Sequence, residues 1–190
     1  MHFRLFSDEL IFLAFGAFKL TKLSSVLFIL LAYTLIGSAS AKHPPSQKDQ
    51  LIQACERLVN YYPIPRDSLD GVAYGKMFTS DAEFILRTDV TTVTKGRDQI
   101  VETLLARASN TTSRHVTGSV YVNATSETVG TGISYAIVFS ASKETADKPK
   151  ELDEQSLSAV VSYFDKFKFE NGQCFFTQRK VIVDFLNTKR

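Results

Sequence analysis

The stretch VVSYFDKFKFENGQCFFTQRKVIVD, residues 160–184, reads as two long strands joined by a two-residue turn. Val, Ile, Phe and Tyr dominate both halves, as in strands that bury one face. Asn171-Gly172 lies between them, and Asn-Gly is the strongest short-range hairpin signal because a type I′ turn needs positive φ at both central residues. Upstream, RHVTGSVYVN from Arg114 and TVGTGISYAIVFSAS from Thr128 carry the same enrichment, which gives four long strands. Gly130-Thr131-Gly132 falls inside strand pattern, so it marks a bulge or bend rather than a phosphate loop.

The first part of the domain has a different period. Ser46 is a candidate N-cap, and Leu51, Ile52, Cys55, Leu58, Val59 and Tyr62 recur at three- and four-residue intervals, one buried helical face. Pro63 and Pro65 are expected to stop this helix and to push their predecessors toward extended geometry. Asp67 then reads as the N-cap of a short second helix through Met77 and Phe78. AEFILRT from Ala82 reads as a strand with TTVT as its return, and Gly96-Arg97-Asp98 opens a third helix carrying Ile100, Val101, Leu104 and Leu105. Three helices followed by a long antiparallel meander make an α+β domain.

The chain has 190 residues, 44% of them hydrophobic, and a net charge of +2, which fits one globular domain with an extension. Its Lys and Arg residues are scattered among Asp and Glu, which argues against nucleic acid as a partner. Residues 24–37, SSVLFILLAYTLIG, form an apolar core preceded by Lys19 and Lys22 and followed by small residues at Ala39 and Ala41. Residues 1–41 therefore read as a signal peptide or N-terminal anchor, 42–49 as a linker and 50–188 as the domain. Cleavage near Ala41 would make the protein secreted or periplasmic; without cleavage it would be membrane-anchored. Cys55 and Cys174 could pair after export or remain two buried thiols.

Of the three histidines only His115 falls inside the domain, which argues against a metal site. No nucleophile elbow, P-loop or usable dinucleotide fingerprint occurs, so no cofactor is expected. What remains is acid–base equipment. His115 shares strand parity with Thr117, Ser119 and Tyr121, and Val116, Val120 and Val122 take the other face. Asp165 shares parity with Tyr163 and Phe167, and Arg179 with Phe175 and Val181, so each sets a charge on an apolar face. Either the two form a salt bridge between neighbouring strands, or they line a cavity.

LVNYYPIPRDSLDGVAYGKMFTSDAEF from Leu58, TKGRDQIVETL from Thr94, SRHVTGSVYV from Ser113 and the hairpin quoted first together resemble the SnoaL-like branch of the nuclear transport factor 2-like (NTF2-like) superfamily, over about Gln47 to Asn187. The resemblance implies a cone: a curved antiparallel sheet wrapped around three N-terminal helices, enclosing an apolar pocket that Phe84, Phe139, Phe164 and Phe175 could line. It further implies a proton-transfer site of Tyr62, Asp67 and His115, with Arg179 matching an arginine of the last strand. The activity implied is a cofactor-independent dehydratase or isomerase acting on a small apolar carbonyl or hydroxyl compound; the alternative is a non-catalytic binding or assembly module, and a homodimer is expected in either case. The chain departs from the family at Gly118, where relatives carry a polar residue, and near Val138, where a further pocket acid has no counterpart. Asp67 thus has two readings, helix cap or partner of His115.

Overall fold

The computed structural model describes residues 44–107, 111–142, 154 and 156–188. The signal or anchor segment read over 1–41 lies outside them. Helix α1 (Gln47–Tyr61) starts three residues earlier than the expected domain boundary because Ser46 closes a full capping box. The Ser46 hydroxyl accepts from the Asp49 N–H at 3.2 Å, and the Asp49 carboxylate accepts from the Ser46 N–H at 3.1 Å. Leu51, Ala54, Cys55 and Val59 form its buried stripe.

The prolines do not straighten the chain as expected. Tyr62 keeps right-handed helical geometry (φ −48°, ψ −42°), and Pro63 opens a further helix, α2 (Pro63–Ser68). At the first helical position the missing N–H costs nothing and the ring's fixed φ already suits the helix. Asp67 therefore lies near the end of α2 and is not an N-cap. That role falls to Asp70, whose carboxylate accepts from the Ala73 N–H at 2.9 Å to start α3 (Gly71–Gly75).

Six strands follow, β1 (Phe78–Arg87), β2 (Thr91–Lys95), β3 (Thr111–Ala124), β4 (Val129–Ser142), β5 (Leu157–Glu170) and β6 (Gln173–Leu186), with α4 (Arg97–Arg107) between β2 and β3. They make one open sheet in the order β2-β1-β6-β5-β4-β3. Every pair is antiparallel except β1 with β6, which run parallel, so the sheet is mixed. Asn171 (φ 52°) and Gly172 (φ 75°) both take the positive φ that their hairpin requires.

Bulges curve this sheet and decide which residues face inward. In β3, Ser119 adopts φ 48° and the register to β4 slips between Gly118 and Tyr121. The slip reverses the expected alternation: His115 is buried and Tyr121 63% exposed, whereas Val116 is 56% exposed and Val122 buried. Of the two readings of Gly130-Thr131-Gly132, bulge or bend, the bulge is absent: no register slip occurs there. These glycines are small because of close approach: a Cβ on Gly132 would stand 2.8 Å from the Phe167 ring, and one on Gly130 2.9 Å from Leu51.

Helix α1 lies across the inner face of β3 to β6, and α4 packs on β1, β2 and α3. The core between them is built from α1's stripe with Tyr62, Phe78, Tyr163, Phe167 and Phe176. Cys55 of α1 and Cys174 of β6 are joined in a disulfide, which pins the helix to the sheet.

Candidate active site

A cavity of about 290 Å³ sits where α2, α3 and α4 face the inner side of the sheet. Leu69, Tyr74, Phe84, Ile100, Leu104 and Val138 supply hydrocarbon and aromatic wall, and Arg66, Asp67, Thr94, Thr103, Ser113, Ser140 and Ser158 supply charge and hydroxyls. Of the phenylalanines expected to line it, only Phe84 does. Phe164 follows Tyr163 with opposite parity and is 42% exposed, and Phe175 lines a separate surface groove with Arg57 and Lys76.

Asp67 is on the cavity wall, and β3 brings His115 against it. Asp67 Oδ1 lies 2.7 Å from His115 Nδ1 and accepts from Ser113 Oγ at 3.1 Å and Arg66 Nη1 at 3.2 Å. Its Oδ2 accepts from the His115 backbone N–H at 2.7 Å. The side chains are 7% and 4% exposed. Burial works against charge on Asp67, but the His115 contacts, then the Arg66 guanidinium, outweigh it and hold the carboxyl below its usual range. A carboxylate only accepts, so Nδ1 must carry the imidazole hydrogen. Arg66 Nη1, 3.4 Å from that nitrogen, therefore gives its protons to Asp67 and Ser113 instead.

Burial pushes His115 below its usual 6.5, with Arg66 adding to the effect against the pull of Asp67. The ring is thus neutral near pH 7, although it stands at ion-pair distance from a carboxylate. Its tautomer is fixed with hydrogen on Nδ1, which leaves the Nε2 lone pair without a hydrogen-bond partner among the described residues. That is the arrangement a general base needs.

Tyr62 and Arg179 meet elsewhere. The Arg179 guanidinium, 0% exposed, lies 3.8 Å from the Tyr62 ring centre, 4.0 Å from Tyr163 and 4.5 Å from Phe176. Asp165 is its register partner across β5 and β6, with Nη2 donating to Oδ2 at 3.3 Å and Nε at ion-pair distance, 3.2 Å, from Oδ1. The expected salt bridge between neighbouring strands therefore forms, and neither member lines the cavity. Complete burial pushes the Asp165 carboxyl up to about 6, against the opposing charge of Arg179. Tyr62 reaches the site through Tyr74: their hydroxyls lie 3.3 Å apart, and Tyr74 is on the cavity wall.

The structure thus joins Asp67 to His115 and sets Tyr62 with Arg179 in a stack behind Tyr74. Sequence reasoning missed Arg66, Ser113 and Tyr74. Ser113 shares His115's parity before the bulge and Arg66 adjoins Asp67, so both were open to inference. Tyr74 carried no signal beyond being aromatic. Among the described residues no group of three His, Cys, Asp or Glu side chains converges as a metal ion would require.

The family model of the SnoaL-like domain matches residues 50–185. No curated protein matches the chain. Among solved structures, a candidate scytalone dehydratase from Novosphingobium aromaticivorans is 19% identical, with 73% of this chain and 87% of that one covered and a TM-score of 0.58. A protein of unknown function from Mycobacterium tuberculosis is 25% identical over 70% and 72% of the two chains, with the same TM-score of 0.58. An NTF2-like protein with a cystatin-like fold from N. aromaticivorans is 16% identical over 91% and 95%, with a TM-score of 0.51.

Proposed function

Because the chain belongs to the SnoaL-like domain family, we propose that it is a cofactor-independent lyase or isomerase that moves a proton on a small, mainly apolar carbonyl compound. The observation that carries this reading is the 2.7 Å contact between His115 and Asp67 beside the cavity, with the imidazole neutral. His115 Nε2 removes a hydrogen from the carbon next to the carbonyl. Asp67 holds the ring's orientation and stabilises the imidazolium that forms. In a dehydration the C–H electrons become the new double bond as the neighbouring C–OH bond breaks, and the hydroxyl leaves as water with a proton returned by His115. In an isomerisation the same proton returns to a different carbon. The likeness to a candidate scytalone dehydratase supports the dehydration variant.

The test is the pKa of His115 by NMR, in the full chain and in Asp67→Asn. It should titrate below 6.5, the usual value, and fall further in Asp67→Asn, because the carboxylate favours the imidazolium. Titration at the usual value, indifferent to Asp67, would rule out the dyad. Across a panel of β-hydroxy ketones, His115→Gln should lower kcat/KM by about 10²- to 10⁴-fold, the size of general acid–base assistance.

Export and self-association belong to the same reading. Export after cleavage near Ala41 is supported by the disulfide that uses both cysteines, since such bonds persist in oxidising compartments. A homodimer is supported by an apolar row across the outer sheet face: Val116 pairs with Ile137, Ile137 with Val160, and Val160 with Phe185. Three of these are 56%, 41% and 71% exposed, respectively Val116, Ile137 and Phe185. Light scattering should find a dimer that Val116→Asp with Phe185→Asp turns into a monomer. A wild-type monomer at micromolar concentration would refute it.

A further inference from the structure

Asn123-Ala124-Thr125 is an Asn-x-Thr triplet without Pro at its middle position, the acceptor pattern for an N-linked oligosaccharide. Such triplets also arise by chance, so its surroundings in the fold carry the argument. Asn123 is exposed on β3, the strand at one end of the sheet, and its register partner on β4, Thr131, is exposed as well. Simple alternation from His115 sets Tyr121 and Asn123 on the inner face; the slip at Ser119 turns both outward. Thr125, whose hydroxyl the triplet requires, is exposed at the start of the β3–β4 turn, where Oγ1 donates to the Val129 carbonyl at 2.9 Å. Asn110-Thr111-Thr112 has the same pattern, but Asn110 lies outside the described residues.

We propose that Asn123 is an N-glycosylation site and that Tyr121 is the platform for its first sugar, an N-acetylglucosamine. Tyr121 is 63% exposed and precedes Asn123 by two residues on the same face. Two residues of strand span about 7 Å, within reach of a pyranose ring held on the Asn123 amide. The C–H bonds on one side of that sugar then meet the negative face of the Tyr121 ring. Tyr121 pairs with Ile133, and Ile133 with Phe164, 42% exposed, so the sugar also shelters one end of an apolar strip. The row containing Ile137, assigned above to the dimer, lies six residues along β4 from Thr131, about 20 Å away, and stays open. In the transfer, the Asn123 amide nitrogen gives up a proton to a base and bonds to C1 of the sugar. The bond from C1 to a lipid-linked diphosphate breaks, and the diphosphate leaves with the electron pair. The donor is therefore a lipid-diphosphate oligosaccharide of a secretory pathway, so the assignment rests on the export reading. Asn123 precedes Cys174, so transfer to the emerging chain comes before the bridge to Cys55 closes.

The full chain, expressed under its own leader in a eukaryotic secretory host, is digested and mapped by mass spectrometry before and after peptide N-glycosidase in isotopically labelled water. Asn123 should carry an oligosaccharide in most secreted molecules and become a labelled Asp on its release. Asn123→Gln and Thr125→Ala should each remove the oligosaccharide, Thr125→Ser should retain it at lower occupancy, and Asn110→Gln should leave it in place. Trimming to one N-acetylglucosamine isolates the platform. Against the unmodified chain made in a bacterial periplasm, the one-sugar form should have a folding equilibrium constant about two- to tenfold higher, the size of one aromatic contact. Tyr121→Ala should remove that gain. A chain secreted with its bridge intact but bare at Asn123 overturns the site and leaves the export reading standing, whereas a chain that never enters the pathway overturns both. A gain that survives Tyr121→Ala overturns the platform.

Discussion

A chain carrying Cys55→Ala and Cys174→Ala is expected to lose on the order of 4–5 kcal/mol of folding stability. The two cysteines are 119 residues apart, so the bridge closes most of the domain into one loop and removes much of the freedom of the unfolded chain. Domains have roughly 5–15 kcal/mol in total, so the variant should sit close to the limit of folding. The bridge also fixes α1 to β6 over buried residues, Cys55 being 0% and Cys174 7% exposed, which shields it from reductant until the domain opens. Urea denaturation of the variant, with a thiol count on the unfolded wild type, checks the expectation. Two free thiols, or a midpoint unchanged by the substitutions, would mean that no bridge exists.

The second large effect is expected at Arg179. Arg179→Met fits the aromatic stack but leaves Asp165, with a side chain 1% exposed, without its counter-charge, and removing one partner of a buried pair costs about 3–5 kcal/mol. The loss depends on pH with a definite sign. Asp165 is raised to about 6 from an unfolded value of 3.8, so between these values the folded chain holds the extra proton, and stability from this group falls as pH rises through that window. Without Arg179 the carboxyl moves higher still, so Arg179→Met should be far less damaging at pH 5 than at pH 8. Adding Asp165→Asn should restore most of the loss at pH 8. Equal destabilisation at both pH values would show that the guanidinium matters for packing and not for charge.

His115 tilts the wild-type curve the other way. Its folded value lies below 6.5, so the unfolded chain binds more protons from there up to 6.5, and stability from this group rises with pH. The slopes of the buried carboxyl and the buried imidazole oppose one another wherever their two windows overlap. Asp67, held low, adds stability that is lost only as pH falls below the usual carboxylate range.

The β5–β6 hairpin was legible because Asn171-Gly172 sets its turn locally, and the Ser46 N-cap and the apolar stripe did the same for α1. Asp165 and Arg179 were recognisable as a pair for a less secure reason. Read by simple alternation, Arg179 should share a face with Phe175; in the sheet the register slips at Thr177, the buried residues change from Cys174 and Phe176 to Arg179 and Val181, and Arg179 comes opposite Asp165. Parity gave the right orientation for Arg179 and the wrong one for Phe175. The parallel pairing of β1 with β6 had no local sign, since it joins residues 95 or more positions apart in sequence, such as Glu83 and Gln178. The helical Tyr62 before Pro63 went against a steric preference that packing of the ring among Tyr74, Tyr163 and Phe176 overrode.

The Ser119 bulge divides one strand between two tasks. Ahead of it, Ser113 lines the cavity and His115 is held against Asp67; beyond it, Val120, Val122 and Ala124 pack on the core. The backbone is continuous, but the sense of inside and outside is reset at a residue that touches neither surface. The protonation of His115 therefore depends on the count of residues along β3 as much as on its neighbours. Substitutions over 120–124 should change how firmly the domain holds together, whereas those over 113–115 should change what the site can do.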